Sequence, residues 1–530
     1  MNKLMSCFSK NSGKILAGMI SAYVVAISAV CFCKYQHFLY GGLDLAIFNN
    51  ALFNTLHGNW FWSSIQGHNY WGDHFEPLLV VFLPIYYLWQ SPVLLLILQT
   101  IFLGLAAWPL YLVVIQACPE CSGAESREPV PPSSDFNYSE CGSKRDPSAP
   151  PMDVGVGRDK PKIMALGVAF LWLINPLVHN LNLFEFHAIA FFPFFFFSLF
   201  YFYLQLKESP ANKKLLSSFY ILIFLCLMVR EDITFIILTF IILIWLDALK
   251  NKNKAFLLIA SYGLLITIFY LIISFKIIAH FSPSGFSPFG YYYGWLARTN
   301  ILGTIKHFLT LTNLEMILGF LAPFLFLPII KPKWLLLTTV PLTQIIFSAG
   351  GGGALVWQMH YGALFLPALI IAFIYAFLPA DNFINKKLGG KYLLLILALA
   401  ANFCLWPSFG ILKNDFSQTK NGPDLDQIER GAAVMSSFNY LPNLSSRKNI
   451  YSLHYYFLGV QQFAQADYSF KLLPEYILLD EADYKYYDEI LKTSAWAGKY
   501  YSRGYKRLEE ILDSYKKIES KDGVSLWKKI

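Results

Sequence analysis

Charged residues are scarce in this chain. They make up 14% of its 530 residues, against about 25% in soluble globular proteins, while 56% of the residues are hydrophobic and 17% aromatic. This shortage, together with repeated long apolar runs, excludes an ordinary soluble protein and indicates a polytopic membrane protein. The net charge of +8 does not require a nucleic-acid partner, because basic residues beside membrane spans usually set topology.

Two further absences narrow the class. No A-x-A-like cleavage site follows the first apolar run, 15–33, so we expect a retained span and not a signal peptide. The large segments predicted to face outside contain no cysteine, which excludes a disulfide framework there. Cys118, Cys121 and Cys141 offer three thiols without a fourth ligand, and we interpret them as reduced cytosolic cysteines.

Hydropathy predicts about eleven transmembrane helices. They lie near 15–33, 93–115, 163–180, 188–206, 215–229, 233–249, 255–279, 314–330, 334–348, 363–380 and 392–407. The loops predicted to be internal all carry Lys or Arg, such as "KESPANKK" and "KNKNK", which places the N-terminus in the cytoplasm. Segment 75–90 is short and contains two prolines. We interpret it as a re-entrant or interfacial helix, because a full crossing would put the later basic loops outside.

Two polar segments interrupt this pattern. Segment 117–161 is rich in Pro, Ser and Gly and is predicted to be a disordered cytoplasmic insertion. Residues 408–530 are balanced in charge and predict a small extracytoplasmic α/β domain. Its strand-like runs lie at 449–453 and 476–480, and a helix-like run lies at 505–518. No catalytic motif occurs in this domain, so we interpret it as a lid or an acceptor platform.

Ionisable residues gather beside the span ends that are predicted to face outside. They occur in "GGLDLAIFNN" (Asp44), "WGDHFEP" (Asp73, His74, Glu76), "NLFEFHAIAFFP" (Glu185, His187), "MVREDITF" (Arg230, Glu231, Asp232) and "VWQMHYGALFLP" (Gln358, His360, Tyr361). Each motif has a structural explanation when taken alone: Asp44, for example, is a suitable helix N-cap. Together they are harder to explain, because an ionisable residue at membrane depth costs about 2.5–3.5 kcal/mol and usually marks function. Acids alternating with histidines at one face predict an acid/base site, a metal site or both.

The order of these motifs resembles a family of polytopic membrane proteins defined by a domain of unknown function. The resemblance covers most of 35–380 and continues weakly beyond it, but the insertion at 117–161 departs from the pattern. That family in turn resembles the GT-C glycosyltransferases, which carry a catalytic acid in the first extracytoplasmic loop. The GT-C enzymes transfer a sugar, with inversion, from a polyprenyl phosphate to an acceptor on the outer side. The resemblance implies a GT-C-like membrane domain over 1–407.

Asp44 stands at the position of the GT-C catalytic acid, and the resemblance implies that it takes a proton from the acceptor hydroxyl. A base for a lipid-linked donor must sit at the membrane edge, and Gly41 and Gly42 permit a sharp exit from the first span. Arg230 is the first candidate for stabilising the charge on the leaving prenyl phosphate. The catalytic candidates are therefore Asp44, Arg230, Glu231 and Asp232.

A divalent metal, Mn, Mg or Zn, is the second candidate for stabilising that charge. Its expected ligands are Asp73, His74, Glu185 and His187, a mixed oxygen and nitrogen set that suits Mn²⁺ or Zn²⁺. The candidates for binding sugar hydroxyls are His74, Gln358, His360 and Tyr361. The aromatic loop 285–296 could stack on a sugar or a prenyl unit.

Three other functions stay open. A transporter or flippase for a lipid-linked glycan would place polar residues near the bilayer midplane and often carries a repeat, whereas these residues gather at one surface. A metal-dependent lipid-phosphate hydrolase would need the predicted metal ligands to converge. A non-catalytic assembly protein would work through its C-terminal domain. In every case we expect an integral protein of the plasma (inner) membrane. For the transferase, the expected partners are the lipid bilayer, a polyprenyl-phosphate sugar donor and an extracytoplasmic acceptor, and no nucleic acid.

Overall fold

The computed structural model describes residues 10–118, 156–283, 288–349, 352–378, 390–409, 422–461, 467–493, 498 and 501–530. The predicted insertion at 117–161 and the Cys121 and Cys141 thiols therefore fall almost wholly outside the described residues.

The first part of the chain is a bundle of apolar helices. It begins with α1 (Ser12–Gln36), whose 25 residues are long enough to cross a bilayer core of about 30 Å. The next helices are α2 (Asp44–Leu56), α3 (Leu78–Leu88), α4 (Pro92–Leu105), α5 (Ala107–Ala117), α6 (Val156–Ile174), α7 (Pro176–Leu183), α8 (Phe192–Glu208), α9 (Lys213–Leu227), α10 (Ile233–Lys250) and α11 (Lys254–Phe281). They are followed by α12 (Pro288–Tyr293), α13 (Ile301–Phe308), α14 (Leu311–Leu321), α15 (Pro332–Leu335), α16 (Thr339–Ile346), α17 (Ala354–Gln358), α18 (Gly362–Phe377) and α19 (Lys391–Phe409).

Five stretches of the described chain are long and apolar enough to cross a membrane. They are Ser12–Gln36, Pro92–Ala117, Ala188–Glu208, Ile233–Lys250 and Lys254–Phe281, and two bent helix pairs raise the number to as many as seven. Eleven crossings therefore remain a prediction. Segment 75–90 contains the 11-residue helix α3, about half the length that a span requires.

Local backbone chemistry breaks several of the predicted spans. The 163–180 span bends by 44° between α6 and α7, where Pro176 lacks an N–H and the Asn175 side chain accepts from Leu177 N at 2.9 Å. The 314–330 span ends early, because Leu325 and Phe326 adopt φ of 54° and 58°, which a helix does not tolerate. The 334–348 span is divided between α15 and α16.

Helix α18 lies at the centre of the bundle. Nearly every side chain in its 16 residues is buried, and it packs against α7, α8 and the turn at Leu327–Ile330. Around it, α4 packs on α1, α5 on α6 and α8, and α10 on α11. Because α18 is apolar on all sides and enclosed by protein, it forms the core and does not face lipid.

Strands and helices alternate in the C-terminal part. A five-stranded sheet has the order β4 (Ile450–Ser452), β3 (Val434–Ser436), β5 (Tyr476–Asp480), β7 (Val524–Lys529) and β6 (Tyr515–Lys521). Strands β4, β3 and β5 are parallel and the β5–β7–β6 pairs antiparallel. The helices of this part are α20 (Leu441–Leu444), α21 (Leu453–Leu458), α22 (Glu481–Thr493) and α23 (Gly504–Leu512).

The helix-like run 505–518 is divided in the structure, since α23 ends at Leu512 and β6 begins at Tyr515. The cause lies in the turn that joins β6 to β7. Asp522 and Gly523 both have positive φ, 51° and 79°, as the two central residues of a type I′ hairpin require. The hairpin pairs Lys521 with Val524 and so extends strand structure back into the predicted helix.

The C-terminal part docks on α2 through buried asparagines. Asn49 Nδ2 donates to Ser445 Oγ at 2.8 Å and Asn50 Nδ2 to Arg447 O at 2.7 Å. Ser64, in the loop between β1 (Trp62–Ser63) and β2 (His68–Asn69), exchanges two hydrogen bonds with Ile450. Because both asparagines are fully buried, these bonds hold the C-terminal part at the end of the bundle that carries Asp44.

Candidate active site

Asp44 is the first residue of α2, so its carboxylate lies at the positive end of that helix. The turn before it is unusual, because Leu43 has φ of 76°, a left-handed conformation that costs a leucine about 1–2 kcal/mol. The two preceding glycines have close neighbours: a Cβ on Gly41 would collide with Asn439 Oδ1, and one on Gly42 would lie 2.8 Å from Glu185 Oε1. Close approach therefore favours glycine at both positions, whereas the left-handed conformation in this turn falls on Leu43 and not on either glycine.

The Glu185 carboxylate holds this turn in place. It accepts hydrogen bonds from Gly42 N and, at 2.8 Å, from Leu45 N, and only 1% of the residue is exposed. Burial, and then the nearby negative charge of Asp44, raise the pKa of Glu185 to about 8. Glu185, which the sequence suggested as a metal ligand, is thus engaged in positioning the start of α2.

The loop that carries Glu185 and His187 is fixed from two sides. Gln99 of α4 donates through Nε2 to Glu185 O at 3.0 Å and accepts from His187 N at 2.8 Å. Lys34, at the end of α1, donates to Leu183 O at 2.6 Å and is 2% exposed. Since helices α1 and α4 pack on each other, the loop has little freedom to move relative to Asp44.

Three potential metal ligands converge beside this loop. His187 Nε2 lies 3.1 Å from Asp44 Oδ2, and the His187 ring stacks on the His360 ring with centroids 3.7 Å apart. One ligand atom from each of the three residues lies within 4.8 Å of the other two. Among the residues that the structure describes, the Nδ1 atoms of both histidines are buried without a hydrogen-bond partner, and a cation or a ligand would supply one.

These three residues differ from the predicted metal set. Asp73 accepts from Gln66 Nε2 and lies 3.6 Å from His68 Nε2, while His74 Nδ1 lies 2.7 Å from Glu231 Oε1. Within the described chain, Asp73, His74, Glu185 and His187 do not form one group of ligand atoms. His187 is shared by both sets, whereas Asp44 and His360 were expected to act as the base and a sugar-binding residue.

The Arg230–Asp232 triplet forms a buried charged turn. Arg230 Nε donates to Asp232 Oδ1 at 2.9 Å, and Nη2 donates to Asp232 Oδ2. The Glu231 side chain does not join the Arg230–Asp232 pair. It accepts a hydrogen bond from Phe75 N at 2.9 Å and pairs with His74. Burial opposes the charge on His74, but Glu231 outweighs it and raises the pKa of His74 to about 9.

Tyr361 connects this turn to Asp44. Burial raises the pKa of Tyr361, Arg230 lowers it, and Asp44 raises it further, so both charges lie within electrostatic reach of its hydroxyl. His360, its neighbour, has a pKa held well below the usual value by burial and then by His187, Arg230 and His74. Predicted residues from all five motifs therefore share one electrostatic environment. Within the described part of the chain, the Gln358 side chain makes no hydrogen bond, so its sugar-binding role stays a prediction.

A family model of predicted membrane proteins, DUF2079, matches residues 34–126 and 154–510. The chain belongs to this family. No curated protein matches the sequence. Among solved structures, the Archaeoglobus fulgidus oligosaccharyltransferase in complex with Zn and sulfate aligns at 12% identity over 93% of this chain and 71% of that chain, with a TM-score of 0.39. A TM-score of this size does not by itself establish a shared fold.

Some residues of the site in this DUF2079 member had no sequence signal of their own. Tyr455 has a pKa well above its usual value because of burial, Asp44 and Asp73, which places this C-terminal residue beside the acids of the membrane part. Burial, and then neighbours that include Tyr361 and Asp73, raise the pKa of Tyr292. Tyr292 belongs to the aromatic loop 285–296, so this residue of the loop lies within electrostatic reach of the site. Tyr455 lies in an unremarkable run, "LHYYFL", and only the docking of the C-terminal part brings it there.

Proposed function

We propose that this protein is a membrane glycosyltransferase of the GT-C type. It transfers a sugar from a polyprenyl-phosphate donor to an acceptor on the extracytoplasmic side of the plasma membrane, with inversion, and its N-terminus is cytoplasmic. One observation carries the proposal: the Asp44 side chain is 34% exposed, while the His187 side chain paired with it is 7% exposed. The site therefore has one accessible carboxylate, backed by buried imidazoles and, nearby, a buried guanidinium.

Asp44 acts as the general base. His187 engages its Oδ2 atom, which leaves the other carboxylate oxygen to accept the proton of an acceptor hydroxyl. As that proton leaves, the acceptor oxygen bonds to the anomeric carbon and the bond from that carbon to the phosphate oxygen breaks. The Glu185 bonds to Gly42 and Leu45 support this role, because they fix the carboxylate relative to the donor.

The leaving prenyl phosphate carries negative charge that needs a cation. Arg230 supplies one, since it is 3% exposed and lies, like Asp44, within electrostatic reach of Tyr361. Asp44, His187 and His360 also fit a divalent metal, because their donor set suits Zn²⁺ or Mn²⁺ and two of their ring nitrogens lack partners. A metal held there would supply a Lewis acid for phosphate oxygens.

A metal-dependent lipid-phosphate hydrolase is the second candidate. The observation that favours it is the same group, since two histidines and one carboxylate with open positions is a common set in hydrolytic metal sites. The two reactions break different bonds. Transfer moves the sugar to the acceptor oxygen and releases prenyl phosphate, whereas hydrolysis at the prenyl side of the phosphate consumes water and releases prenol together with a sugar phosphate.

The test compares wild type, Asp44→Asn and Asp247→Asn, each purified in detergent and incubated with a panel of polyprenyl-phosphate sugars. Asp247 is a matched control, because its side chain is 42% exposed and pairs with Lys333, near the far end of α10. With water taking the place of the acceptor hydroxyl, we expect release of prenyl phosphate and free sugar by wild type and Asp247→Asn, and release about 10²–10⁴-fold slower in Asp44→Asn.

Each other outcome has a defined meaning. If folded Asp44→Asn releases prenyl phosphate as fast as wild type, Asp44 is not the general base. If prenol and sugar phosphate are released instead, and a chelator abolishes their release, the protein is a metal-dependent hydrolase and not a transferase. Folded wild type that turns over none of the donors would contradict both enzymes and favour transport.

A further inference from the structure

A cavity of about 380 Å³ lies between the membrane part and the C-terminal part, directly before Asp44 in the chain. Gly41, Gly42 and Leu43 line one side of it, and Phe438, Asp483 and Tyr486 line the other. Its volume falls near the lower end of the range for small-molecule sites, about 300–1,000 Å³. The cavity therefore lies beside the turn that leads into α2 and positions the proposed base.

The C-terminal wall of the cavity combines aromatic rings with a carboxylate. The rings of Phe438 and Tyr486, which line the cavity, also contact the His454 ring, with centroids 4.8 Å and 6.2 Å away. Within the described chain, His454 Nδ1 is buried without a hydrogen-bond partner, and burial lowers the pKa of His454 to about 4. His454 therefore lies behind the two lining rings as a neutral imidazole and does not itself line the cavity.

The polar side chain that lines the cavity is the Asp483 carboxylate, beside the rings of Phe438 and Tyr486. An isoprenoid or acyl chain has no hydrogen-bonding atom to offer that carboxylate. A ligand with several hydroxyls and an apolar ring face suits this wall better, because a hydroxyl can donate to the carboxylate and the apolar face can cover an aromatic ring.

We propose that this cavity binds a sugar residue of the acceptor, so that the acceptor is a glycan or a glycolipid. This inference rests on the proposed transferase function, because it assigns the acceptor side of that same reaction. The close approach of Gly41 to Asn439 brings the two walls of the cavity together beside Phe438. The acceptor hydroxyl then reaches Asp44 from the C-terminal side.

Binding can be measured without turnover, so that its failure is distinguishable from failure of the proposed function. We would record saturation-transfer difference NMR of methyl glycosides of glucose, galactose, mannose and N-acetylglucosamine, and of their disaccharides, with protein in amine-oxide detergent. A maltoside detergent would itself present sugars. The proteins are wild type, Asp44→Asn, Asp483→Asn and Tyr486→Ala. Tyr486 is 47% exposed, so removing its ring does not disrupt a core. The control is Asp513→Asn, an exposed acid just after α23.

We expect saturation transfer to at least one glycoside in wild type, Asp44→Asn and Asp513→Asn, and at least tenfold weaker binding in Asp483→Asn and Tyr486→Ala. Binding in Asp44→Asn is informative even if no donor is ever turned over. Absence of transfer to every glycoside would overturn the proposal, as would binding that is unchanged in both cavity variants. A working transferase with no glycoside binding would place the acceptor site elsewhere.

Discussion

Replacing Asn50 by alanine tests whether the C-terminal part is held on α2 as described. Asn50 is fully buried; its Nδ2 donates to Arg447 O at 2.7 Å, and its Oδ1 accepts from Ser64 N at 2.9 Å. Asn50→Ala leaves these two backbone groups buried without partners. Each such group costs about 1–3 kcal/mol, so we expect the docked arrangement to lose about 2–6 kcal/mol relative to the open one.

Hydrogen exchange followed by mass spectrometry reports this free energy locally. At about 1.4 kcal/mol per factor of ten, peptides covering 60–68 and 445–452 should exchange on the order of 10–10⁴-fold faster in Asn50→Ala. Peptides of the β6–β7 hairpin should not change. The matched control is Asn59→Ala, because Asn59 is exposed and lies in the segment just after α2. Exchange in Asn50→Ala within twofold of the control would refute the docking by buried asparagines.

Three further outcomes are expected. Gly42→Ala should reduce activity and the melting temperature, because its Cβ would lie 2.8 Å from a buried carboxylate oxygen, whereas Gly18→Ala has nothing within 4 Å of its Cβ. His360→Ala should weaken binding of Zn²⁺ or Mn²⁺ measured by calorimetry, and His74→Ala should leave it unchanged, since only His360 belongs to the converging group. Native His454 has a pKa near 4 against about 6.5 when unfolded, so the unfolded state binds more protons between these values. Wild type should therefore lose stability as pH falls from 6.5 to 4, and His454→Phe should lose less.

These outcomes have their own controls. For the pH series, His57→Phe should follow wild type, because His57 is exposed; a His454→Phe curve parallel to wild type would show that this imidazole does not titrate as described. Equal metal affinity in the His360 and His74 variants would contradict the assignment of the metal ligands. An active Gly42→Ala protein of unchanged melting temperature would show that the turn before Asp44 can relax.

Sequence reasoning found the members of the site more readily than their partners. Asp44, His187 and His360 could be singled out because ionisable residues are costly in an apolar chain. That His187 stacks on His360 could not be inferred, because helices α8 and α18, which follow these residues, are adjacent only in the folded bundle. Glu185 had the signal of a metal ligand, but two backbone N–H groups compete for its oxygens.

The spans and the C-terminal part show the same limit. Hydropathy does not register a local backbone change such as the left-handed pair Leu325 and Phe326, so a window of apolar residues predicts a straight helix where the chain turns. The Asp522-Gly523 dipeptide did carry a hairpin signal, but the charged run before it also suits a helix. The asparagines of "FNNALFN" were the clearest unused signal, since polar side chains on an otherwise apolar helix indicate a polar partner.

The bonds between Asn50 and residues 445–447 join positions about 395 residues apart. At a synthesis rate of about 5–20 residues per second, helix α2 waits roughly 20–80 s for its partner after it leaves the ribosome. Throughout that time its asparagines are available to water at the membrane edge, and the wall that carries Tyr455 does not exist. A chain released before residue 452 would contain Asp44 but not the wall that carries Tyr455, so the proposed activity would have to wait until the C-terminal part is made.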